Sequence, residues 1–477
     1  MYFLLSSLAL TFHKMSLPRI PYALILMALI CIAGYTFDNY QKAARLSDAQ
    51  DRWLVVQRDA KQRGIHTELE AYLVASSGVG PSLFTDFPNI SPHFTQDHQQ
   101  DGSQAPHSFC DLAQLPNLKQ WPVLSLQQTP RERIETLNLA LTQPLPHGYT
   151  DAQVLNAVLK AIAPLHTELD QWKHAIQESN NLGRDYIEEN YFFISASTFR
   201  NASNLLALRS YCHWLMGHSD TSDYHCLLKT SQLLYDYGQS LIALSVATAI
   251  DLQTASTANL TLQSPNISPQ LNTELLKHYP NFSAIHVFHK ALQTEYIVQL
   301  DSLKSLVEDT PHPFLPSSDA LRKTPQYLLA EARADVAAFQ LDTYFPTDIH
   351  SHPPYLPLEF DTVATRLPSS DCGLIAKSLI SVLSIGSSYY FESATKADMT
   401  LELSHLFNAL TVFKKTHGHF PNTLNALPPD LLSQIPQSEW LNIQYTPAPT
   451  SNTLPTLKAT ISPPSRPPIE TTFPTRD

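Results

Sequence analysis

The sequence predicts a mostly α-helical protein: an N-terminal transmembrane helix, an irregular helical bundle, a small helix-plus-strand C-terminal module and a proline-rich tail. Three observations support this fold class. Residues 20–37 carry no charge, the chain beyond residue 151 repeats apolar residues every three or four positions, and there are 36 prolines but only 12 glycines. Phosphate-binding loops and tight hairpins need glycine, so the composition favours helices joined by proline-containing loops.

The uncharged segment, IPYALILMALICIAGYTF at 20–37, is long enough to cross a bilayer as a helix. The numbers of basic residues near its two ends are similar, so the positive-inside rule gives little guidance on orientation. We predict an anchor in the inner membrane, with the body outside the cytoplasm. No A-x-A cleavage site follows, which indicates a retained anchor, and either Met1 or Met15 is the start.

The charge of the chain bears on its partners. Lysine and arginine number 31 against 43 acidic residues, and the net charge of -12 argues against a nucleic-acid-binding face. The predicted partners are the membrane, through residues 20–37, and proteins of the cell envelope. The chain divides into a cytoplasmic tail 1–19, the anchor 20–37, an anchor-proximal helix with a proline-rich arm 38–150, a helical bundle 151–345, a C-terminal helical module 346–446 and a proline-rich tail 447–477.

The elements before residue 200 follow from their stop signals. The anchor helix is predicted to continue to Gly64, because glycine favours the left-handed conformation that ends helices. Prolines interrupt 76–150 every few residues, which predicts a covering arm with short helices. From residue 151 the apolar spacing predicts helix, kinked at Pro164 because proline has no N–H to donate.

Four further helices follow from periodicity and capping. Helices at 198–216 and 223–256 flank the loop GHSDTS, and the second is apolar on most sides, as expected at the centre of a bundle. An apolar stripe predicts a helix at 283–308. Thr324 followed by Pro325 is a typical N-cap and first-turn pair for the next helix.

The chain near its C-terminus reads KKTHGHFPNTLNALPPDLLSQIP after a last helical region at 371–417. We interpret Gly418 as the left-handed residue that ends this helix. The spaced leucines, which include Leu424 and Leu427, are predicted to form a small apolar face that folds back on the helix, so the segment serves shape and not chemistry. The tail at 447–477 is predicted to be extended or disordered, with one strand at LKATIS.

Several of these patterns occur together in known proteins. Trp53 and Gly64 precede the proline-containing stretch FPNISPHF, the hairpin reads NLLALRSYCHWLMGHSDTSDYHCLL, and a later helix carries Ala291, Leu292 and Glu295. The chain thereby resembles uncharacterised bacterial envelope proteins with one N-terminal membrane helix and a helix-rich extracytoplasmic body, a group with no established function. The C-terminal layout is also similar to the segment after the long helix of pseudopilins, and the matching residues are His417, Gly418, Phe420, Pro421, Leu424, Leu427, Pro436 and Tyr445.

The same layout departs from pseudopilins at two points. PQSEWLN stands where an Asp-Pro and a glycine usually follow the last proline, and no prepilin cleavage signal precedes the anchor. A pilin-subunit role is therefore not expected.

Two cysteine–histidine pairs bracket the predicted hairpin. Cys212 and Cys226 lie at comparable heights on its two helices, with His213 and His225 beside them. Neighbouring residues on a helix point about 100° apart, so the four side chains do not easily converge on one zinc ion. A disulfide between Cys212 and Cys226 is favoured for an exported body, with buried free thiols and a metal site as alternatives. The pairing of the distal cysteines, Cys110 and Cys372, is left open, and we predict no metal or cofactor.

The remaining candidates are a histidine pair and a carboxylate. His286 and His289 are separated by one helical turn, and Glu295 lies at the edge of an apolar stripe, with Arg209 as a suggested partner. Core positions explain them best, because no H-E-x-x-H motif, nucleophile elbow or P-loop occurs. The sequence favours a membrane-anchored interaction or scaffold protein of the cell envelope, with an envelope hydrolase using a His/Glu site in a helical cleft as the alternative.

Overall fold

The structure is a computed structural model, and it describes residues 19–67, 78–87, 152–183, 196–238, 240–264, 267–280, 284–307, 324–345, 371–429, 431, 441–448, 453–462 and 468–473. Within its helices it gives no side-chain placement for 19–25, 196–197, 285–286, 289, 302–303, 306–307, 343–344 and 371–389. The described part is mostly α-helical with one three-stranded antiparallel sheet, which confirms the mostly helical fold class. The tail 1–18 and the arm 88–150 lie outside it.

The first helix of the described residues, α1, runs without a break from Arg19 to Gln62. Its 44 residues correspond to a length of about 66 Å. Gly64 has a φ of 72° and ends the helix as predicted. The arm contributes one short described helix, α2, at Leu83–Asp86.

Proline splits the next helix at the predicted place. Helix α3 covers Ala152–Ile162 and α4 covers His166–Glu178, and Pro164 lies in the 3₁₀ turn between them. The tighter turn accommodates a residue that has no N–H for the α-helical ladder.

The predicted hairpin is present, but its second helix is shorter than expected. Helix α5 covers Ala196–Leu215 and α6 covers Ser222–Tyr237, and the continuation to residue 256 belongs to a separate helix, α7, at Leu241–Gln263. The break falls at Gly238, where a side chain would collide with the Leu234 carbonyl and with Ala243. Ser240 then starts α7 by accepting a hydrogen bond from the Ala243 N–H at 3.1 Å.

Four further helices of the described residues close the bundle. They are α8 at Pro269–Lys277, α9 at Ala284–Val307, α10 at Gln326–Tyr344 and α11 at Asp371–His417. Helices α9 and α11 have the predicted bounds to within one residue. Helix α10 starts one residue later than predicted, with Pro325 in the capping position.

Helix α7 lies at the centre of the body and contacts α5, α6, α9 and α11. Its first half contributes Leu244 and Ile250 to one apolar cluster, and its second half contributes Leu252 and Leu262 to another. In the part of the chain that the structure describes, α7 is the one helix found long and apolar enough to span a membrane. Since 89% of its apolar window is buried inside the protein, we assign it as a core helix.

The described part of the segment after α11 has the predicted shape. Gly418 has a φ of 79°, and its N–H donates to the Lys414 carbonyl at 2.8 Å. Phe420 and Pro421 are buried, Leu424 opens a 3₁₀ turn, and Leu427 is buried in the second apolar cluster. Pro436 lies outside the described residues.

The C-terminal tail is more structured than the sequence suggests. Strands β1 at Leu441–Thr446, β2 at Thr456–Ile461 and β3 at Ile469–Phe473 form an antiparallel sheet in the order β1-β2-β3. The strand expected at LKATIS is β2, but the tail contributes β3 as well. The sheet packs on α11, with the Phe407 and Phe473 ring centres 5.6 Å apart. Burial of alternate strand residues against a long helix therefore orders a segment that is poor in core residues.

Candidate functional site

The N-terminal part of α1 exposes apolar side chains in every direction around the helix. The exposed fraction is above one half for Leu26, Met27, Ile30, Ile32, Tyr35, Phe37 and Tyr40. With 100° between successive residues, these positions cover all sides of the helix and not a single stripe. A monomeric soluble protein rarely exposes a contiguous apolar surface of this kind.

The C-terminal part of the same helix is fixed to the body by a row of arginines. Arg45 makes two hydrogen bonds with the Glu331 carboxylate at 2.8 and 2.6 Å, and Arg52 contacts Asp335 at 2.6 Å. Arg63 contacts Asp342 at 2.8 Å. The partners advance in the same order along α1 and α10, so the two helices pack in parallel.

Arg63 also caps the end of α10. Its guanidinium donates to the backbone carbonyls of Leu341 at 3.2 Å and Phe345 at 2.9 Å. Carbonyls in the last turn of a helix lack partners within that helix, and a cation there also interacts favourably with the helix dipole. The guanidinium of Arg333 lies 3.8 Å from the ring centre of Trp53 and adds a cation–π contact to the same interface.

Inside the body, the hairpin is joined by a buried ion pair. Arg209 donates to both carboxylate oxygens of Asp223 at 2.6 and 2.7 Å and to Asp170 at 2.9 Å. Lys173 approaches Asp223 at 3.1 Å. The suggested pair of Arg209 with Glu295 was therefore wrong, because Arg209 joins α4, α5 and α6 instead.

Glu295 serves as a cap in the core. Its carboxylate accepts the backbone N–H of Leu241, the first residue of α7, at 3.3 Å. Burial raises the pKa of Glu295 to about 7. The side chains of the predicted histidine pair, His286 and His289, lie outside the described residues.

The cysteines of the hairpin differ from the favoured prediction. Cys212 and Cys226 are both free thiols buried in the apolar core, where they pack as small hydrophobic side chains. Burial raises the pKa of each thiol to about 12, which makes both poor nucleophiles. The predicted disulfide is not formed, so Cys212 and Cys226 give no support for an oxidising compartment. Cys110 and the side chain of Cys372 lie outside the description.

The structure brings together three polar side chains that the sequence did not connect. Nε2 of His225 and Nε2 of His278 each lie 3.3 Å from the same oxygen, Oε1 of Glu274. The two imidazole ring centres are 4.9 Å apart and nearly perpendicular, at 81°. Each of the three side chains is a little more than one-third exposed. We refer to His225, Glu274 and His278 as the His–Glu cluster.

Each side of the His–Glu cluster stands on a rigid element. His225 lies in the first turn of α6, between Asp223, which is paired with Arg209, and the buried Cys226. In the same hairpin, the Trp214 indole donates to the Asp220 carbonyl at 2.8 Å and holds the preceding loop. The position of His225 is therefore set by the hairpin core.

The other side is held by a buried network at the end of α8. Tyr279 follows His278 directly, and its hydroxyl contacts Asn259 at 2.9 Å and Ser404 at 2.5 Å. The Tyr279 ring stacks on His405, and Nε2 of His405 lies 3.0 Å from the Leu276 carbonyl. Burial lowers the pKa of His405 to about 4, so this histidine is neutral at pH 7 and donates from Nε2 to that carbonyl.

His213 is not part of this arrangement, although the sequence groups it with His225. Its ring contacts His218 at a centre-to-centre distance of 5.3 Å. Burial, followed by the nearby His218, lowers the pKa of His213. The predicted candidates His213, His225 and Glu295 thus have separate partners and do not form one constellation.

No family model matches the chain, and neither a curated protein nor a solved structure shows significant similarity to it. The resemblance to envelope proteins and to the C-terminal layout of pseudopilins therefore stays a prediction.

Proposed function

We propose that the protein is a single-pass membrane protein of the cell envelope that presents its helical body beside the membrane as an interaction or scaffold module. The observation that most supports this is the apolar surface on all sides of α1 between Leu26 and Phe37. Apolar area in water is unfavourable by about 25 cal/mol per Å². Lipid removes that cost, and a helix satisfies its own backbone hydrogen bonds there.

The continuity of α1 extends the proposal to the placement of the body. Asp38 directly follows the apolar segment, and Arg45 is hydrogen-bonded to Glu331 of α10. Eight residues of helix separate Phe37 from Arg45, which is about 12 Å along the axis. Because α1 has no break between these positions, the anchor would hold the body close to the membrane surface in a fixed orientation.

Membrane extraction tests the anchor. Full-length protein in membranes should stay in the pellet after alkaline carbonate treatment, and the variant with Met27→Arg and Ile30→Arg should move to the supernatant. Each arginine at the centre of an apolar helix opposes insertion by about 2.5–3.5 kcal/mol. Leu54→Arg, an exposed position in the docked part of α1, is the matched control and should remain in the pellet. Release of the wild-type protein would contradict the proposal.

Orientation and partners need separate measurements. A reporter fused after Asp477 should be active only outside the cytoplasm, and activity inside the cytoplasm would reverse the proposed topology. For the scaffold role, crosslinking in membranes should return the same envelope proteins reproducibly from wild type but not from the variant released from the membrane. The absence of any reproducible partner would count against it.

The second candidate is the envelope hydrolase, and the His–Glu cluster is the observation that favours it. Its side chains are partly exposed, and His and Glu are the residue types expected of such a site. Assays of the full-length protein on ester and peptide substrates would test this function. Hydrolysis by the wild type that is lost in the His225→Ala variant would favour the hydrolase over the scaffold role.

A further inference from the structure

We propose that His225, Glu274 and His278 bind a divalent metal ion of the zinc class, with a remaining coordination position open to solvent. The proposal rests on the geometry of the three side chains and on the chemistry of their donor atoms. It does not depend on how α1 interacts with a membrane.

The distances within the His–Glu cluster match those between metal ligands. Zinc lies about 2.0–2.1 Å from His nitrogen and carboxylate oxygen, so two ligand atoms of a tetrahedral site are about 3.3–3.4 Å apart. Both His–Glu distances, from His225 Nε2 and from His278 Nε2 to Oε1 of Glu274, are 3.3 Å. All three ligand atoms lie within 4.8 Å of one another. Small rotations of the two partly exposed imidazoles are enough to bring the ligand nitrogens of His225 and His278 to the same separation.

A pair of charge-assisted hydrogen bonds fits these distances less well. Charge-assisted hydrogen bonds from nitrogen to a carboxylate oxygen are about 2.7–2.9 Å long. Here two imidazole nitrogens face the same carboxylate oxygen at the longer distance of 3.3 Å. A cation bound between the three ligand atoms explains why both imidazole nitrogens face the same carboxylate oxygen, which a single His–Glu pair does not explain.

The donor set indicates the class of metal. Two imidazole nitrogens and one carboxylate suit zinc and related transition metals, whereas calcium and magnesium prefer oxygen ligands alone. Three protein ligands with one open position are also the arrangement of exposed zinc sites that hold a water molecule. Partial exposure of all three side chains gives the ion a way in.

The supporting structure makes the cluster a prepared site. Glu274 and His278 are four residues apart at the end of α8 and therefore lie on one face of that helix. The Tyr279 network fixes this end of α8, and the Arg209–Asp223 pair fixes the start of α6. Ligands held by rigid elements need little reorganisation to bind a metal. A bound ion would join α6, which belongs to the hairpin, to α8, which packs on α11.

The experiment uses the full-length chain in detergent, stripped of metal, and titrates it with Zn²⁺ against a chromophoric chelator. The test variants are Glu274→Gln and His278→Ala, and the matched controls are Glu392→Gln and His218→Ala, whose side chains lie outside the cluster. We expect the wild type and both controls to share one Zn²⁺ site of the same affinity. In each test variant the affinity of that site should fall at least about 100-fold, more than the roughly 10–100-fold expected for loss of an outer contact. Circular dichroism checks that every variant is folded.

Two further readouts separate a built site from scattered histidine binding. Co²⁺ should give the wild type, but not Glu274→Gln, an intense visible absorption typical of four-coordinate cobalt. Zn²⁺ should also raise the melting temperature of the wild type and the controls but not that of the test variants. Equal Zn²⁺ affinity and stoichiometry in wild type and both test variants would overturn the proposal and leave adventitious binding only.

Discussion

Helices α1 and α7 both carry a long apolar stretch, yet they place it in opposite environments. The segment of α1 at 20–37 has no charge, and its described side chains from Leu26 to Phe37 are largely exposed. The apolar window of α7 is 89% buried by neighbouring helices. The uncharged run of the sequence selects residues 20–37 of α1, and length and hydropathy select α7 among the described helices. Burial is what distinguishes a core helix from a candidate anchor.

The sequences of the two helices already contain part of this difference. Helix α7 carries Asp251, Gln253 and Asn259 within its apolar stretch, whereas residues 20–37 of α1 have no charged or amide side chain. Asn259 donates to Ser404 at 2.6 Å and accepts from Tyr279 at 2.9 Å. Such groups are tolerated in α7 because the surrounding protein supplies partners, which lipid would not do.

The largest expected effect is the removal of one leucine from each helix. Leu252→Ala in α7 should reduce the free energy of unfolding by about 2–5 kcal/mol, because Leu252 is fully buried and leaves a cavity. Leu26→Ala in α1 should leave the thermal unfolding of the body unchanged, because the Leu26 side chain is exposed and not packed in the core. Thermal melts of the two variants in the same detergent provide the measurement. Equal losses would mean that both segments pack inside the protein.

The next effect concerns the charge inside α7. Burial and, to a smaller extent, the charge of the nearby Asp398 raise the pKa of Asp251 to about 7. The hydrogen bonds from Ser231 and Tyr235 act in the opposite direction but are outweighed. The unfolded carboxyl ionises near pH 4, so its proton is lost first from the unfolded state, and this contribution to stability declines as the pH rises from about 4 to 7. Asp251→Asn is neutral at every pH and should match the wild type near pH 4.

At pH 8 the Asp251→Asn variant should be more stable than the wild type by an amount on the order of a few kcal/mol. Melting temperatures of the two proteins across this pH range give the difference. Burial raises the pKa of Glu295 and of Glu402 to about 7 as well, so the wild type keeps a part of the decline that the substitution does not remove. A pH-independent difference would contradict the assignment of Asp251 as a carboxyl held neutral by burial.

A smaller effect is expected at the end of α11. Gly418→Val should destabilise the C-terminal module by roughly 1–2 kcal/mol, because valine is strained at the φ of 79° found there. The open space around Gly418 means that backbone strain and not a steric collision causes the loss. Gly34→Val, in the exposed part of α1, is a control without positive φ. An unchanged melting temperature for Gly418→Val would show that α11 does not end at this residue.

The smallest effect belongs to the docked part of α1. Arg52→Ala removes the contact with Asp335 and should cost about 0.2–1 kcal/mol, the usual range for a partly exposed pair. Salt should reduce the difference between variant and wild type, because exposed charges are screened. Denaturant titrations at low and high salt measure it. A larger, salt-independent loss would show that the guanidinium acts through packing.

Local signals predicted the features that one short stretch controls. Gly64 and Gly418 end their helices, and Pro164 splits the helix at 152–178, because the cause lies in the residue's own backbone. The break at Gly238 was not predicted because the apolar period continues across it. A side chain there would collide with the Leu234 carbonyl and with Ala243, and the sequence does not show these contacts.

Features that depend on distant contacts were out of reach. Strand β3 is ordered by α11, which lies far from it in the sequence. The His–Glu cluster joins His225 to a Glu-x-x-x-His pattern almost fifty residues later, and that pattern at 274–278 was the one available signal. Arg209 likewise has its partners on α4 and α6 and not on α9, where Glu295 lies.

The most direct test of the proposed anchor measures the two parts of α1 in one experiment. Cys31 lies in the exposed apolar segment, whereas Cys212 and Cys226 are buried thiols that react poorly. Two labelled proteins are compared, and in both of them Cys110 and Cys372 are replaced by serine. The first carries a nitroxide on Cys31, and the second carries it at Val55→Cys together with Cys31→Ser. Both are reconstituted in lipid vesicles, and collision rates with oxygen and with a water-soluble nickel complex are recorded.

Oxygen concentrates in lipid and the nickel complex stays in water, so their ratio reports which solvent surrounds the label. The label at residue 31 should collide mainly with oxygen, and the label at residue 55 should collide mainly with nickel. That result is predicted by a helix whose first part lies in lipid and whose second part is docked on the body. Equal access of the nickel complex to both labels would contradict the membrane anchor.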